Sequence, residues 1–417
     1  MASDAGKAAN DRCFEVSIIL RIGRGGLQTR TCLSESKSGF ATSASCDNGS
    51  DHLRPKPGAL FDDLPLLIAR GAVVDNPEPW QYCGGMRAWL MDSYKGVEEL
   101  RLDEVPDPQP GPGQALLQMK FAALNPADAF LAQGMYPAKP PLPHILGRDG
   151  VGKVIAVGPG VENVKVGDTV GILCCDAGVQ VWGTLAEKAV IPAPSLTAVP
   201  EAWSLEETAG APLVFLTAWQ ALTQWSDPAS PPREGSVVLV TGASGGVGVA
   251  SVLLGKSMGL VVVALSRSAE KGAKLKQLGA DFVLSPETAN LRKAVSTAIA
   301  PKKIDLVVDS VAGPAFNDLI AMLGYGGRIS VVGRSSGTVP EFNTATLFFR
   351  RNRIGGVAVA DCTPDSAQAV WKEIVRRLDA LGKRPVVDRI LPFGEVKAAF
   401  ARLAEGPMGK VLVGIPS

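Results

Sequence analysis

Histidine is almost absent from this 417-residue chain: His52 and His144 are the only two. It is the side chain that most readily exchanges protons near neutral pH, and the commonest metal ligand. Its scarcity argues against histidine-based acid–base chemistry and against a histidine-rich metal site. An excess of charge of one sign is missing too. Lys and Arg total 42 against 41 Asp and Glu, a formal net charge of +1, and no basic or acidic block interrupts the chain. Nucleic acid and membrane surfaces are therefore not expected as partners. No apolar run reaches the roughly 20 residues that span a bilayer. The seven cysteines are an odd number with no repeated spacing, which points to reduced thiols in a cytoplasmic protein. The length allows two domains with cores of their own.

Residues 1–85 lack the periodicity of the rest. Ser, Gly, Asp and Arg are mixed without pattern, and Cys13, Cys32, Cys46 and Cys83 fall here. Asp4, Asp11, Glu15 and Glu35 argue against an organelle transit peptide, and the apolar stretch Val16–Leu20 is too short for a secretory signal. Met86 opens a well-patterned sequence. Residues 1–85 are expected to be an extension, disordered or not native, with a regulatory or targeting tail as the alternative.

The patterned part is organised around Ser236-Val-Val-Leu-Val-Thr-Gly-Ala-Ser-Gly-Gly-Val-Gly248. Val237 to Val240 read as a strand buried on both faces. A glycine-rich turn follows, then an apolar helix from Val249 to Met258. Strand, glycine turn and helix are the context of a dinucleotide fingerprint, in which backbone N–H groups and the helix dipole meet a pyrophosphate. Ala243 stands where the usual first glycine would be, so the turn alone also fits an ordinary strand–helix connection. The next unit weighs on the choice. Leu260 to Leu265 is a second buried strand. At its end an NAD-binding fold carries an acid for the ribose hydroxyl. This chain has Ser266-Arg267-Ser268, with Lys271 one turn on. Arg267 and Lys271 would attract a 2′-phosphate, so the expected cofactor is NADP(H); a solvated basic loop is the alternative.

Upstream, strands are expected at Met86–Met91, Leu100–Val105, Ala115–Ala123, Gly147–Val157 and Val166–Leu173. They are spaced by Gly and Pro as in a small, partly open barrel. Asn125-Pro-Ala-Asp128 starts a short helix, with Asn125 or Asp128 as its cap. Leu205–Leu222 reads as one or two helices. Downstream of the fingerprint, strands and helices alternate: Ala269–Leu278 helical, Phe282–Leu284 a strand, Asn290–Ala300 helical, Ile304–Asp309 a strand. Pro314–Leu323 is then helical, Gly327–Val332 and Ile354–Val359 are strands, and Ser366–Ala380 is an amphipathic helix. Such alternation implies a doubly wound parallel sheet. The fold class is therefore α/β.

Asn125-Pro-Ala-Asp128, Gly147-Arg-Asp-Gly-Val-Gly-Lys153, Thr217-Ala-Trp-Gln-Ala-Leu222, Ala243-Ser-Gly-Gly-Val-Gly248 and Gly409-Lys-Val-Leu412 together resemble the medium-chain dehydrogenase/reductase superfamily. The chain is most similar to the zinc-free quinone oxidoreductase branch, with the enoyl-thioester reductases close by. The resemblance runs from Met86 to the end. It implies a GroES-like partly open β-barrel catalytic domain at 86–210 and 350–417, around a Rossmann domain at 211–349, and a homodimer. Zinc-binding members place a Cys where this chain has Leu124 to Ala127 and a His-Glu pair where it has Arg148-Asp149. Cys174 and Cys175 are adjacent, whereas tetrahedral zinc takes ligands from separated positions. No metal is expected.

Without a metal, the readiest substrate is a quinone, an α,β-unsaturated carbonyl compound or an enoyl thioester, which takes hydride from the cofactor. Asn125 is a candidate for the polar group near the nicotinamide or the substrate oxygen, or else a helix cap. Tyr136 stands where the resemblance implies a tyrosine that donates a proton or orients substrate. Thr217 resembles the family threonine beside the nicotinamide. Ala243, Ser244, Gly245, Gly246, Val247, Ser266, Arg267, Lys271, Gly333 and Lys410 complete the expected cofactor contacts. A non-enzymatic NADPH-binding protein stays open as a second class.

Overall fold

Val237–Val240 is a strand with all four residues buried, at the centre of a six-stranded parallel sheet. Phe282–Leu284 and Val261–Leu265 flank it on one side. Ile304–Asp309, Leu323–Val331 and Arg353–Gly356 follow on the other. Its side chains alternate between two cores. Val238 and Val240 pack with helices Pro212–Thr223, Gly246–Ser257 and Pro364–Leu381. Val237 and Leu239 pack with helices Leu291–Ile299 and Phe316–Met322. The sheet is therefore covered on both faces, as its unbroken apolar strands require. The strand order reverses between Val237–Val240 and Ile304–Asp309, the place where open parallel sheets form a ligand crevice beyond their carboxyl ends.

The computed structural model describes residues 85–225, 232–338 and 341–416, together with the backbone of three upstream strands. Met1–Glu78 and Pro79–Ser417 are separate compact units. In the first, Phe14–Leu20, Leu27–Ser34 and Ala41–Thr42 form an antiparallel sheet. The remainder of the expected 1–85 extension, up to residue 84, lies outside the described residues.

The second sheet of the larger unit is built on the long strand Gln114–Ala123, which pairs antiparallel with Asp149–Val157, Lys188–Pro192 and Lys410–Gly414. Register shifts bend it between Leu116 and Leu117 and between Met119 and Phe121. Bulges of this kind curl a sheet towards a barrel. Thr169–Ile172, Leu196–Ala198 and Val387–Pro392 extend it, and Gly85–Met91, Arg101–Pro106 and His144–Ile145 form a small sheet of their own. The two architectures expected from the sequence are both present. Residues 350–381, which the resemblance assigned to the barrel domain, lie on the parallel sheet instead, as the strand–helix alternation implied. Arg353–Gly356 is that sheet's edge strand, and the apolar stripe Ala367, Trp371, Ile374 and Leu378 packs into the same core as Val238. The chain returns to the barrel sheet at Val387.

Candidate active site

The carboxyl ends of the parallel strands carry most of the expected cofactor residues. After Val240 the chain turns through Gly242, at φ +54°, and helix Gly246–Ser257 begins at once. A Cβ on Gly248 would lie 2.3 Å from the Gly242 carbonyl oxygen. Only glycine lets helix and strand approach this closely. Ala243 is fully buried and its N–H points to the Leu265 carbonyl at 3.4 Å. It builds the floor of the turn. Ser244, Gly245, Gly246 and Val247 are half-exposed above it. The first-turn N–H groups of a helix have no partners within it, so this face is a ready anion cradle. At the next strand end Arg267 is exposed, with no ion pair or hydrogen bond among the described residues, while Ser266 Oγ donates to the Ser268 carbonyl. Lys271 is turned away, its ammonium donating to the Gly406 carbonyl. Gly333 follows strand Leu323–Val331 and packs on Ser310, whose carbonyl oxygen would lie 3.2 Å from a Cβ there.

Asp309 was not singled out in the sequence, yet it ties the switch point together. It is fully buried. Oδ1 accepts from Thr241 Oγ1 at 2.5 Å and from the Val311 N–H at 3.1 Å, and Oδ2 accepts from the Ala312 N–H at 3.1 Å. These bonds hold Ala312 at φ +54°, which a non-glycine residue rarely adopts.

A second group of side chains gathers where the barrel sheet meets the glycine turn. Ala123 is paired with Asp149 on one neighbouring strand and Leu412 on the other. That register brings Asn125, Asp149 and Lys410 together from distant parts of the chain. Lys410 Nζ donates to Asn125 Oδ1 at 2.6 Å and to Asp149 Oδ2 at 3.0 Å. Asn125 Nδ2 donates to the same Asp149 oxygen at 3.0 Å. Asp149 is fully buried and Lys410 nearly so. The cap of helix Pro126–Ala132 is made differently from either sequence expectation alone. Asp128 Oδ2 accepts from the Asn125 N–H at 2.8 Å, and the Asn125 amide reaches across to Asp149 and Lys410. Burial pushes the Asp128 carboxyl up to about 6, against the pull of Arg148, and its Oδ1 has no partner.

The two groups are joined through one strand. The Gly409 N–H donates to the Ser244 carbonyl at 2.8 Å, and Gly245 and Gly409 form a β-bridge. The Lys410 stem passes beneath the turn, where a Cβ on Gly246 would meet its Cδ at 3.1 Å. Thr217 is buried on the neighbouring helix and donates to the Leu213 carbonyl at 2.7 Å. Tyr136 is half-buried, and its hydroxyl oxygen accepts from Arg148 Nη1 at 3.2 Å.

Comparison with known proteins matches this geometry. Residues 111–201 fit the alcohol dehydrogenase GroES-like domain, and residues 246–379 the zinc-binding dehydrogenase model. The human synaptic vesicle membrane protein VAT-1 homolog is 30% identical over 351 residues, 79% of this chain and 86% of its own. The chain belongs to the medium-chain dehydrogenase/reductase superfamily. Within it, the match lies in the quinone-oxidoreductase and VAT-1-like branch: the quinone oxidoreductase of Pongo abelii is 28% identical over 79% of this chain and 97% of its own. A polyketide synthase of Streptomyces halstedii, GfsB, is 36% identical over 232 residues, which is 55% of this chain and 4% of that protein. Among solved structures, an NAD-dependent alcohol dehydrogenase superposes with a TM-score of 0.73 at 34% identity, covering 79% of this chain and 100% of that one. A mycobacterial protein complexed with NADPH gives 0.71 at 27%, covering 79% and 99%.

Membership in a superfamily with zinc-binding members makes the donor set a direct question, and the residues present do not fit a metal. The cluster at Asp149 already contains one ammonium, and Arg148 adds a guanidinium beside it. Burial pushes the Cys174 thiol up to about 11 and that of Cys175 up to about 12, which keeps both protonated, whereas zinc binds the thiolate. Burial also lowers the pKa of His144, whose Nε2 is enclosed without a partner. Among the described residues no three His, Cys, Asp or Glu side chains converge on a metal position. A nucleotide does fit, because the glycine cradle is half-open and Arg267 stands unpaired at the next strand end. The fold is of the NAD(P)-binding type. Among the described residues no helix is long and apolar enough to cross a membrane.

Proposed function

We propose that the protein is a zinc-independent, NADPH-dependent reductase of quinones or α,β-unsaturated carbonyl compounds. The observation that carries the cofactor choice is Arg267. It ends strand Val261–Leu265, exposed and unpaired, where an acid would repel a 2′-phosphate. The turn Ser244–Val247 takes the pyrophosphate, Ser266 and Arg267 take the 2′-phosphate, and Lys271, released from the Gly406 carbonyl, adds a second cation. Charge-assisted bonds to phosphate are among the stronger ones. NADPH when bound supplies hydride to the electrophilic carbon of the substrate. The protein's own task is then to orient the acceptor, shield it from water and deliver a proton. Asn125 is held by Asp149 and Lys410 in one orientation, and Thr217 is fixed by its bond to Leu213. Tyr136, whose oxygen accepts from Arg148, has its own O–H hydrogen directed elsewhere, towards an acceptor.

The match to a polyketide synthase supports a second reading within the same chemistry, an enoyl-thioester reductase. A non-enzymatic NADPH-binding protein is the reading from another class. One experiment separates all three: oxidation of NADPH and NADH followed with a panel of small quinones, enones and enoyl thioesters. The expected result is turnover with NADPH in preference to NADH, on at least one acceptor class. NADPH binding with no turnover on any acceptor would leave the binding-protein reading. We propose a cytoplasmic homodimer. The edge strand Arg353–Gly356 and the exposed Tyr325, Phe348 and Phe349 support self-association.

A further inference from the structure

We infer that Arg148 is a positioning residue that acts through Tyr136, and that the pair forms the proton-delivery unit of the reductase proposed above. The inference rests on that reading. Arg148 is only 8% exposed. Its Nη1 donates to the Tyr136 oxygen at 3.2 Å, and its Cζ lies 5.8 Å from the centroid of the Tyr136 ring. Its Nε is enclosed without a partner. It makes no ion pair within 4 Å among the described residues, although Asp149 is its neighbour in sequence, because that carboxylate is engaged by Lys410 and Asn125. A buried guanidinium with no contacting carboxylate is costly to stability. Its one directed bond to a side chain is to the phenol.

That bond has a chemical consequence. The Tyr136 oxygen accepts from a cation, so its own O–H hydrogen is directed elsewhere and is available to a substrate. After hydride from NADPH has reached the β-carbon of an enone, the substrate is an enolate. The Tyr136 O–H bond breaks, and a C–H or O–H bond forms on the enolate. The electron pair stays on the tyrosine oxygen, which faces the guanidinium as a phenolate until water reprotonates it. Arg148 therefore fixes the phenol and receives the charge it is left with, while itself touching neither substrate nor cofactor.

The test is a double-mutant cycle on the full chain, with NADPH and a small enone as the probe. Arg148→Met, Tyr136→Phe and the double variant are compared with the parent for kcat, KM and NADPH affinity. Positioned acid catalysis contributes roughly 10²–10⁴-fold. Each single variant should lose kcat on the order of 10²-fold with KM and NADPH affinity held, and the double variant should be no slower than the slower single. Multiplied losses in the double variant would overturn the inference, as would an unchanged kcat in Arg148→Met or a loss confined to NADPH affinity. Melting temperature supplies a readout that separates the role from a structural one: it should hold or rise in Arg148→Met, whereas a structural residue would lower it. Should Arg148→Met fail to fold, Arg148→Leu, likewise neutral and without a donor, enters the same cycle with the same outcomes. A parent inert towards every acceptor overturns the reductase reading itself; an active parent with independent losses overturns the Arg148 role alone.

Discussion

The glycine turn and the Asn125–Asp149–Lys410 cluster lie against each other, yet they are built on opposite principles. The turn is backbone. Between Gly242 and Gly248 what matters is the scarcity of side chains, and the residues that form the cradle are consecutive in sequence, although Asp309 and Gly409 brace it from afar. The cluster is charge. Its hydrogen bonds join residues 24, 261 and 285 positions apart, buried where water cannot reach them. The turn holds its geometry through sterics and waits for an anion. The cluster holds an ammonium against a carboxylate, and removing one of a buried pair is costly to stability. The difference teaches which half of a site a sequence can announce.

The sharpest way to break the comparison is to remove the cluster's cation. Lys410→Met keeps the length of the stem beneath Gly246 but leaves Asp149 buried and unpaired. Breaking a buried pair from one side costs about 3–5 kcal/mol, so the denaturant midpoint should fall steeply. Adding Asp149→Asn to the same chain should recover most of that loss, since a neutral amide needs no counter-charge. No recovery in the double variant would mean that the lysine stem, and not its charge, supports the turn.

The turn side responds differently. Arg267→Asp touches no partner among the described residues, so stability should hold. NADPH affinity should fall roughly 10- to 100-fold, the equivalent of one charge-assisted bond of about 1.5–3 kcal/mol, with little change for NADH. Equal loss for both cofactors in equilibrium titrations would show that Arg267 does not read the 2′-phosphate. The two variants thus sort the regions: one is measured by melting, the other by binding.

The same division explains what was legible. Val237–Val240, Ala269–Leu278, Phe282–Leu284 and Ile304–Asp309 have the bounds expected from periodicity, because local apolar pattern decides them. Thr217 and the turn residues were recognisable as motifs. Lys188–Pro192 and Leu196–Ala198 were not, being short strands whose partners are fixed by long-range register. Arg148 and Asp149 were visible as part of the motif Gly147–Lys153 and as the place where zinc ligands were missing, with no role of their own. Their signal was two ionisable residues between Gly147 and Gly150 at the start of a strand whose first four residues are buried, and a buried charge of that kind demands a partner. The partner Lys410 was expected at the cofactor and belongs to the cluster, which no spacing rule could reveal across 261 residues.

The smallest expected effect concerns Asp128, where the cluster's charge can be tuned without breaking it. Its folded-state pKa is pushed up to about 6 from an ordinary value near 3.8, chiefly by burial. The folded protein therefore binds the proton more tightly than the unfolded chain across that interval, and by linkage stability falls as pH rises through it. The contribution is fully present below pH 3.8 and is lost as pH passes about 6. Two pKa units correspond to about 3 kcal/mol as an upper bound. Asp128→Asn removes the titration and keeps an oxygen to accept from the Asn125 N–H, although a neutral acceptor makes the weaker bond. The two effects offset, leaving a net gain of roughly 1 kcal/mol at pH 7 and a small loss at pH 4. The measurement is the difference in denaturant midpoint between parent and variant from pH 4 to 8, which cancels the other carboxylates. A difference that climbs between pH 4 and 6 and then levels supports a carboxylate ionised at a cost inside the cluster. A flat difference would mean that Arg148 and Lys410 already compensate Asp128 fully. The cluster would then be as indifferent to pH as the glycine turn beside it.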